Sequence, residues 1–363
     1  MQAIFRAVLL SATVLSAYAS AATTGTATEE TSAKVVSLGR IDAQLNGWRS
    51  TWPGVMLSTR FDGTAIGITL DDASNYYTAE IDHKEAKVIP PQSGQRTVWI
   101  KGLSAGPHQL DLIKRTESPG QAGKVVGFVL DGGRWLPAPP PSSRQIEFIG
   151  DSWTAALGNL KNQRECSQDV IAANSDVGQG FAIKVAKHYG ADWQVNAMSG
   201  MGMVRNWEGN QPREDFRTYY PRTLQNEASS TYRDAKWHPQ LIVIGLGIND
   251  FSTNVKAGET WTAESLAAQY KNAYLKFLAD LRSHNKDAQI ITTATRLWPN
   301  DALRPLVQEV VAQARQAGDD RIAYVEYSDI QLTACHWHPS QADHDIMANQ
   351  LIGKIDQLRP DWH

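Results

Sequence analysis

The chain has 363 residues, 42% hydrophobic and 20% charged, enough apolar material for two packed domains of roughly 100 to 200 residues each, which excludes a disordered or low-complexity protein. Its 35 Lys and Arg against 38 Asp and Glu leave a net charge of -3, with no basic block long enough to track a phosphate backbone, so nucleic acid is not an expected partner. The 12 tryptophans exceed what a core needs, and flat Trp faces suit contact with sugar rings.

The first residues have the grammar of an export signal. Arg6 leads into the apolar run from Ala7 to Leu15, and small residues close the segment at Ala19-Ser20-Ala21. Residues 1–21 are therefore expected to be a signal peptide, with the product periplasmic or extracellular. The apolar run is shorter than the roughly 20 residues of a membrane span, and no later segment is apolar enough to make one, so no membrane partner is expected. Residues 22–34 are rich in Ala, Thr, Glu and Ser without periodicity and read as a flexible lead.

From 35 to 134 the pattern has period two. Ile66, Ile68 and Leu70 alternate with small or polar residues, as do Leu110 and Leu112, and Asp62-Gly63, Asp71-Asp72, Gly102 and Gly106 break the runs. This predicts an all-β antiparallel sandwich. Residues 135–144 contain Leu136-Pro137-Ala138-Pro139-Pro140-Pro141, a stiff linker, because each proline fixes φ and lacks an amide donor.

Residues 145–363 change grammar. Short apolar strands are predicted at Ile146–Ile149, Trp193–Ala197, Leu241–Leu246, Gln289–Thr293 and Ile322–Tyr327. Between them Leu266, Tyr270, Tyr274, Phe277, Leu278 and Leu281 fall at helical spacing, as do Ile346, Leu351, Ile352, Ile355 and Leu358 near the end. Strands alternating with helices write a five-stranded parallel sheet in a three-layer domain.

Ligands of open parallel sheets gather at the carboxyl ends of the strands. The first strand runs into Gly150-Asp151-Ser152-Trp153, the second into Ser199-Gly200-Met201-Gly202, and the third into Gly247-Ile248-Asn249-Asp250. The first presents a serine hydroxyl, and the others offer glycine amides and a carboxamide, the donors that an oxyanion hole requires. Each piece alone also reads as a turn or helix cap. Three in order at successive strand ends point to chemistry. Serine needs a base, and of the 9 histidines only His336, His338 and His344 cluster after the last strand, facing those ends. His338, followed by Pro339-Ser340 at a helix start, is the expected base.

These blocks resemble the SGNH (GDSL-type) hydrolases, whose fold is a five-stranded parallel α/β/α sandwich. The chain is more similar still to carbohydrate esterase family 2, which joins an N-terminal jelly roll to that hydrolase. Matching features include Phe61-Asp62-Gly63-Thr64, His108 with Lys114-Arg115-Thr116-Glu117, Gly158-Asn159, Arg205-Asn206, Asn249-Asp250-Phe251 and Cys335 before the histidine. The likeness spans about residues 37 to 358. It implies that Ser152 is the nucleophile and His338 the general base. The Ser152 amide, the Gly200 amide and the Asn249 side chain would bind the oxyanion. The implied substrates are O-acetyl groups on plant polysaccharides such as xylan and glucomannan, with no cofactor and no metal.

One departure stands out. Three residues before the base, where the general pattern has an acid, this chain has Cys335, and where family 2 relatives often read Asp-Trp-His it reads His336-Trp337-His338. The imidazole still needs an acceptor for its second N–H. A backbone carbonyl is expected, with Asp343 or Asp345 folding back as the alternative. Trp153, Trp207, Trp298 and Trp337 flank the four blocks and are expected to offer faces to a sugar, although Trp at such places also serves as core. Export permits a disulfide between Cys166 and Cys335, which would tie the loop after Ser152 to the His338 loop, but the sequence leaves open whether they meet. His336, His338, Asp343 and His344 could be mistaken for a zinc site. A lipase or thioesterase on the same fold and a non-catalytic carbohydrate-binding protein are the alternative functions. Oligomeric state is not legible.

Overall fold

The computed structural model describes residues 34–362, so the expected signal peptide and residues 22–33 of the lead lie outside the described residues. The first domain is built of short strands: β1 (Val35–Leu38), β2 (Asp42–Gln44), β3 (Gly47–Ser50), β4 (Met56–Asp62), β5 (Ala65–Asp72), β6 (Tyr77–Ile81), β7 (Lys84–Ile89), β8 (Gln92–Lys101), β9 (Pro107–Lys114), β10 (Gly123–Leu130) and β11 (Arg134–Trp135). One antiparallel sheet has the order β1-β4-β9-β6-β7, with β11 also on β4, and the other has β2-β3-β10-β5-β8. The period-two residues face inward: Ile66, Ile68 and Leu70 of one sheet pack on Leu57, Phe61, Leu110 and Leu112 of the other in a single core. The sandwich runs slightly past residue 134. Trp135 pairs with Phe61, and the Leu136 amide donates to the Arg60 carbonyl at 2.9 Å.

The second domain contains β12 (Gln145–Gly150), β13 (Asp192–Ala197), β14 (Leu241–Gly245), β15 (Gln289–Thr295) and β16 (Ile322–Tyr327), all parallel, in the order β13-β12-β14-β15-β16. Helices α1 (Gln168–Ala173) and α2 (Phe181–Tyr189) lie between β12 and β13, and α3 (Phe216–Tyr219) before β14. They are followed by α4 (Ile248–Phe251) and α5 (Ala263–His284), then α6 (Leu303–Gln316) before β16 and α7 (Gln341–Leu358) after it. Both faces of the sheet are covered, which is why its strands read as nearly continuous apolar runs. Phe148 and Val243 share a core with α2 and α7. Ile149, Ile242 and Ile244 point the other way, into a core with α5 and α6. The helical spacing of α5 is realised, with Leu266, Tyr270, Tyr274, Phe277, Leu278 and Leu281 all buried, and Thr262 caps it by accepting the Ser265 amide at 3.2 Å.

Strand order reverses beside β12, which has β13 on one side and β14 on the other. The crevice of such a sheet opens at the carboxyl end of that strand, where Ser152 stands.

The two domains share their cores. Leu38 and Ile113 of the sandwich belong to the apolar cluster of α2 and α7, and Trp52, fully buried, packs edge-on to Phe216 with ring centroids 6.4 Å apart. Truncating a buried Trp costs about 3 to 5 kcal/mol, so this anchor alone holds the junction firmly. The Trp193 indole donates to the Gly54 carbonyl at 2.8 Å, and a buried Arg115–Asp176 ion pair at 3.3 Å crosses the same junction.

Candidate active site

Strand β12 ends at Gly150, where a Cβ would meet the Thr154 hydroxyl at 2.1 Å, so only glycine lets the chain turn this tightly. The turn is fixed by the Asp151 carboxylate, which accepts the Trp153 amide at 3.0 Å, and by the Ser152 carbonyl, which accepts the Leu157 amide at 3.0 Å. It delivers the Ser152 Oγ to 2.8 Å from His338 Nε2.

His338 arrives from the loop between β16 and α7. Its Nδ1 lies 2.9 Å from the Cys335 carbonyl and 3.0 Å from the His336 carbonyl, so Nδ1 carries the proton and the Nε2 lone pair faces the serine hydroxyl. His336 and Trp337 have φ of +51° and +57°, a left-handed backbone that is uncommon for such residues and is found where a site needs it. Asp343 is occupied elsewhere. Its carboxylate accepts the Gln331 amide at 2.6 Å, the Leu332 amide at 3.2 Å and the Ser340 amide at 2.9 Å, capping α7. Asp345 pairs with Lys184. Main-chain carbonyls therefore stand where an acid would orient the base.

The base loop is strapped to the segment before α1. Cys166 and Cys335 form a disulfide with Cα atoms 5.5 Å apart. The His336 amide donates to the Arg164 carbonyl at 2.7 Å, and the Arg164 Nε donates to the Leu332 carbonyl at 3.0 Å. Reduction, or Cys166→Ser with Cys335→Ser, is expected to lower unfolding stability by about 2 to 4 kcal/mol. A several-fold fall in kcat below the melting transition should accompany it, because the same loop carries both carbonyls at Nδ1. Thermal unfolding and ester hydrolysis with and without reductant measure both effects.

Burial pushes the His338 pKa down to about 4, against the two carbonyl bonds that favour the cation. With the neutral His338 imidazole as the base, the limb of kcat/KM on a neutral ester that belongs to this histidine should lie at about pH 4. NMR that finds the His338 ring titrating near the ordinary histidine value of about 6.5 would contradict this environment.

The loop after β13 supplies Gly200, with φ of +77°, and its carbonyl accepts the Trp207 amide at 2.9 Å. Among the described residues, neither the Gly200 amide nor the Ser152 amide has a protein acceptor. Asn249, on α4, aims one amide hydrogen at the Met201 carbonyl at 2.9 Å and the other at the Asp151 carboxylate at 3.3 Å. Asp250 next to it accepts the amides of Met203 at 2.8 Å and of Val204 and Arg205 at 2.9 Å. It is thus the clamp of the Gly-rich loop, which local sequence could not reveal because the partners lie more than 40 residues apart. Gly202 allows this approach, since a Cβ there would meet Asp250 Oδ2 at 2.5 Å. Burial raises the Asp151 pKa to about 7 and the Asp250 pKa to about 6.

The tryptophans divide. Trp207, Trp298 and Trp337 are 48%, 76% and 57% exposed, on loops that follow β13, β15 and β16. Trp153 is a correction: it is 7% exposed and packs in the core with Phe181 and Tyr327, so it offers no face to a sugar. The turn that brings the Ser152 hydroxyl to His338 sends the next side chain into the core. The histidine-rich segment also scatters, with His344 buried against Phe181 and His336 reaching the Cys166 carbonyl at 3.0 Å. Among the described residues no group of His, Cys, Asp or Glu is gathered to hold a metal.

A serine and an imidazole at a switch-point crevice, between unpaired amides and a carboxamide, define an ester hydrolase of the α/β/α class. Family models agree, matching residues 37–140 to the N-terminal domain of carbohydrate esterase 2 and residues 146–351 to the GDSL-like lipases and acylhydrolases. The chain belongs to carbohydrate esterase family 2. It is 36% identical over 313 residues to an acetylxylan esterase / glucomannan deacetylase of Cellvibrio japonicus, covering 86% of each chain. It is 32% identical over 329 residues to the cellulase/esterase CelE of Acetivibrio thermocellus, covering 87% of this chain and 38% of that one. A family two carbohydrate esterase from Clostridium thermocellum, solved in complex with cellohexaose, superposes with a TM-score of 0.81 at 30% identity, covering 91% of this chain and all of that one (100%).

Proposed function

We propose that the protein removes O-acetyl groups from plant polysaccharides, acetylated xylan and glucomannan among them, through an acetyl-Ser152 intermediate. The observation that carries this reading is the 2.8 Å Ser152–His338 contact at a crevice whose loops bear three exposed tryptophans. The names of the relatives support the substrate class.

In the proposed cycle the Ser152 proton passes to His338 Nε2 as Oγ attacks the acetyl carbon. The Ser152 and Gly200 amides and Asn249 receive the oxyanion, the 3.3 Å Asn249–Asp151 contact being long enough to yield one hydrogen to it. His338 then gives its proton to the sugar oxygen as the C–O bond breaks. Water repeats the sequence on acetyl-Ser152: His338 takes its proton, the acyl–Oγ bond breaks, and the proton returns to Oγ with acetate released. The carbonyl dipoles of Cys335 and His336 face the imidazolium in each half-reaction, in place of an acid.

We also infer export. The signal-like segment supports it, and so does the Cys166–Cys335 disulfide, which persists in oxidising compartments.

A series of acyl chain lengths tests the substrate class. Acetyl esters of polysaccharide and of small sugars should be cleaved, with rates falling as the acyl group lengthens. Preference for long acyl esters, with acetylated polysaccharide untouched, would replace the reading by a lipase-like one.

A further inference from the structure

The Gly200 amide is useful to an oxyanion only if its peptide plane is held. That plane, Ser199–Gly200, has a pinned neighbour on either side. On the far side, the Gly200 carbonyl accepts the Trp207 amide at 2.9 Å. On the near side, the Ser199 amide donates to the Glu117 carboxylate at 2.9 Å.

Glu117 belongs to the other domain. It follows β9 of the sandwich, and its own backbone is fixed on both flanks. The Nζ of the fully buried Lys114 donates to the Thr116 carbonyl at 2.7 Å and to the Thr51 carbonyl at 2.9 Å. The Ser118 amide donates to the same Thr51 carbonyl at 2.9 Å. The buried Lys114 amino group thus sets the stretch 114–118, and that stretch presents one carboxylate to the loop after β13. Burial at the junction raises the Glu117 pKa, while its bonds to Ser199 and the nearby Lys114 pull the other way, as expected of a carboxylate enclosed against specific partners.

We infer that Glu117 is a positioning residue for hydrolysis: by holding the Ser199 amide it fixes the peptide whose Gly200 N–H binds the oxyanion, so the sandwich domain completes the active site. This rests on the oxyanion role proposed above for Gly200.

Two substitutions separate reach from charge. Glu117→Gln keeps the length and an acceptor oxygen for the Ser199 amide. Glu117→Asp keeps the charge but withdraws the oxygen by one methylene. With p-nitrophenyl acetate as a probe that needs no polysaccharide contact, Glu117→Asp should lower kcat by roughly ten- to a hundredfold with KM within about twofold, short of the loss from deleting an oxyanion donor. Glu117→Gln should stay within about threefold of wild type, and thermal unfolding of both shows that the fold is kept. Wild-type kcat in Glu117→Asp, or an equal loss in both variants, would overturn the inference. Because the probe is a simple ester, these results stand apart from whether acetylated polysaccharide is the substrate.

Discussion

Replacing either Ser152 or His338 by Ala is expected to lower kcat on acetyl esters by about four orders of magnitude or more, and replacing both should cost little beyond either single change. The reason is that they act as one unit. At 2.8 Å the imidazole is the only base in contact with the hydroxyl among the described residues, and without it the serine keeps its proton. The comparison that gives this result its meaning is Asp343→Asn. In a triad that change would cost about 10⁴ in kcat. Here Asp343 binds the Gln331, Leu332 and Ser340 amides and the Ser340 hydroxyl rather than His338, so its loss should appear as about 1 to 2 kcal/mol of stability with kcat within several-fold. Steady-state kinetics beside thermal unfolding for the four variants checks the whole pattern.

Asn249→Ala is expected to lower kcat by two to three decades, about 2.7 to 4 kcal/mol, with little change in KM. Its amide is held by the Met201 carbonyl at 2.9 Å, so that only the longer 3.3 Å contact to Asp151 has to give way for an oxyanion to receive it. Alanine keeps the small helix α4 but leaves Asp151 without this neighbour. Because Asn249 also donates to Asp151, part of any loss would come through the serine turn, and thermal unfolding beside the kinetics separates a loosened turn from a lost donor. Wild-type kcat in Asn249→Ala would show that the carboxamide is not part of the oxyanion site.

Much of this was legible because the information is local. Period-two runs such as Ile66-Gly67-Ile68 announced the sandwich, and short apolar runs separated by helical spacing announced the parallel sheet, which fixes where strand ends converge. The serine, glycine and asparagine blocks were found by that convergence. What stayed hidden were contacts made across the fold. Trp153 sits beside the nucleophile in sequence but turns into the core, because a sharp turn sends adjacent side chains to opposite sides. Glu117 stood in a family-like stretch with nothing to mark its partner, Ser199, 82 residues away in another domain. The acceptors for His338 are main-chain carbonyls, which no residue type can encode; only the missing acid at Cys335 hinted at them. The disulfide likewise spans 169 residues, and two cysteines in the sequence give no measure of the space between them.

The most direct measurement is acetate released from acetylated xylan and acetylated glucomannan by the wild-type protein and by Ser152→Ala, side by side. A polysaccharide deacetylase working through Ser152 gives release by the wild type and a loss of about four decades or more in the variant. Release by the variant at the wild-type rate, or no release by a wild-type protein that still binds these polymers, would contradict it.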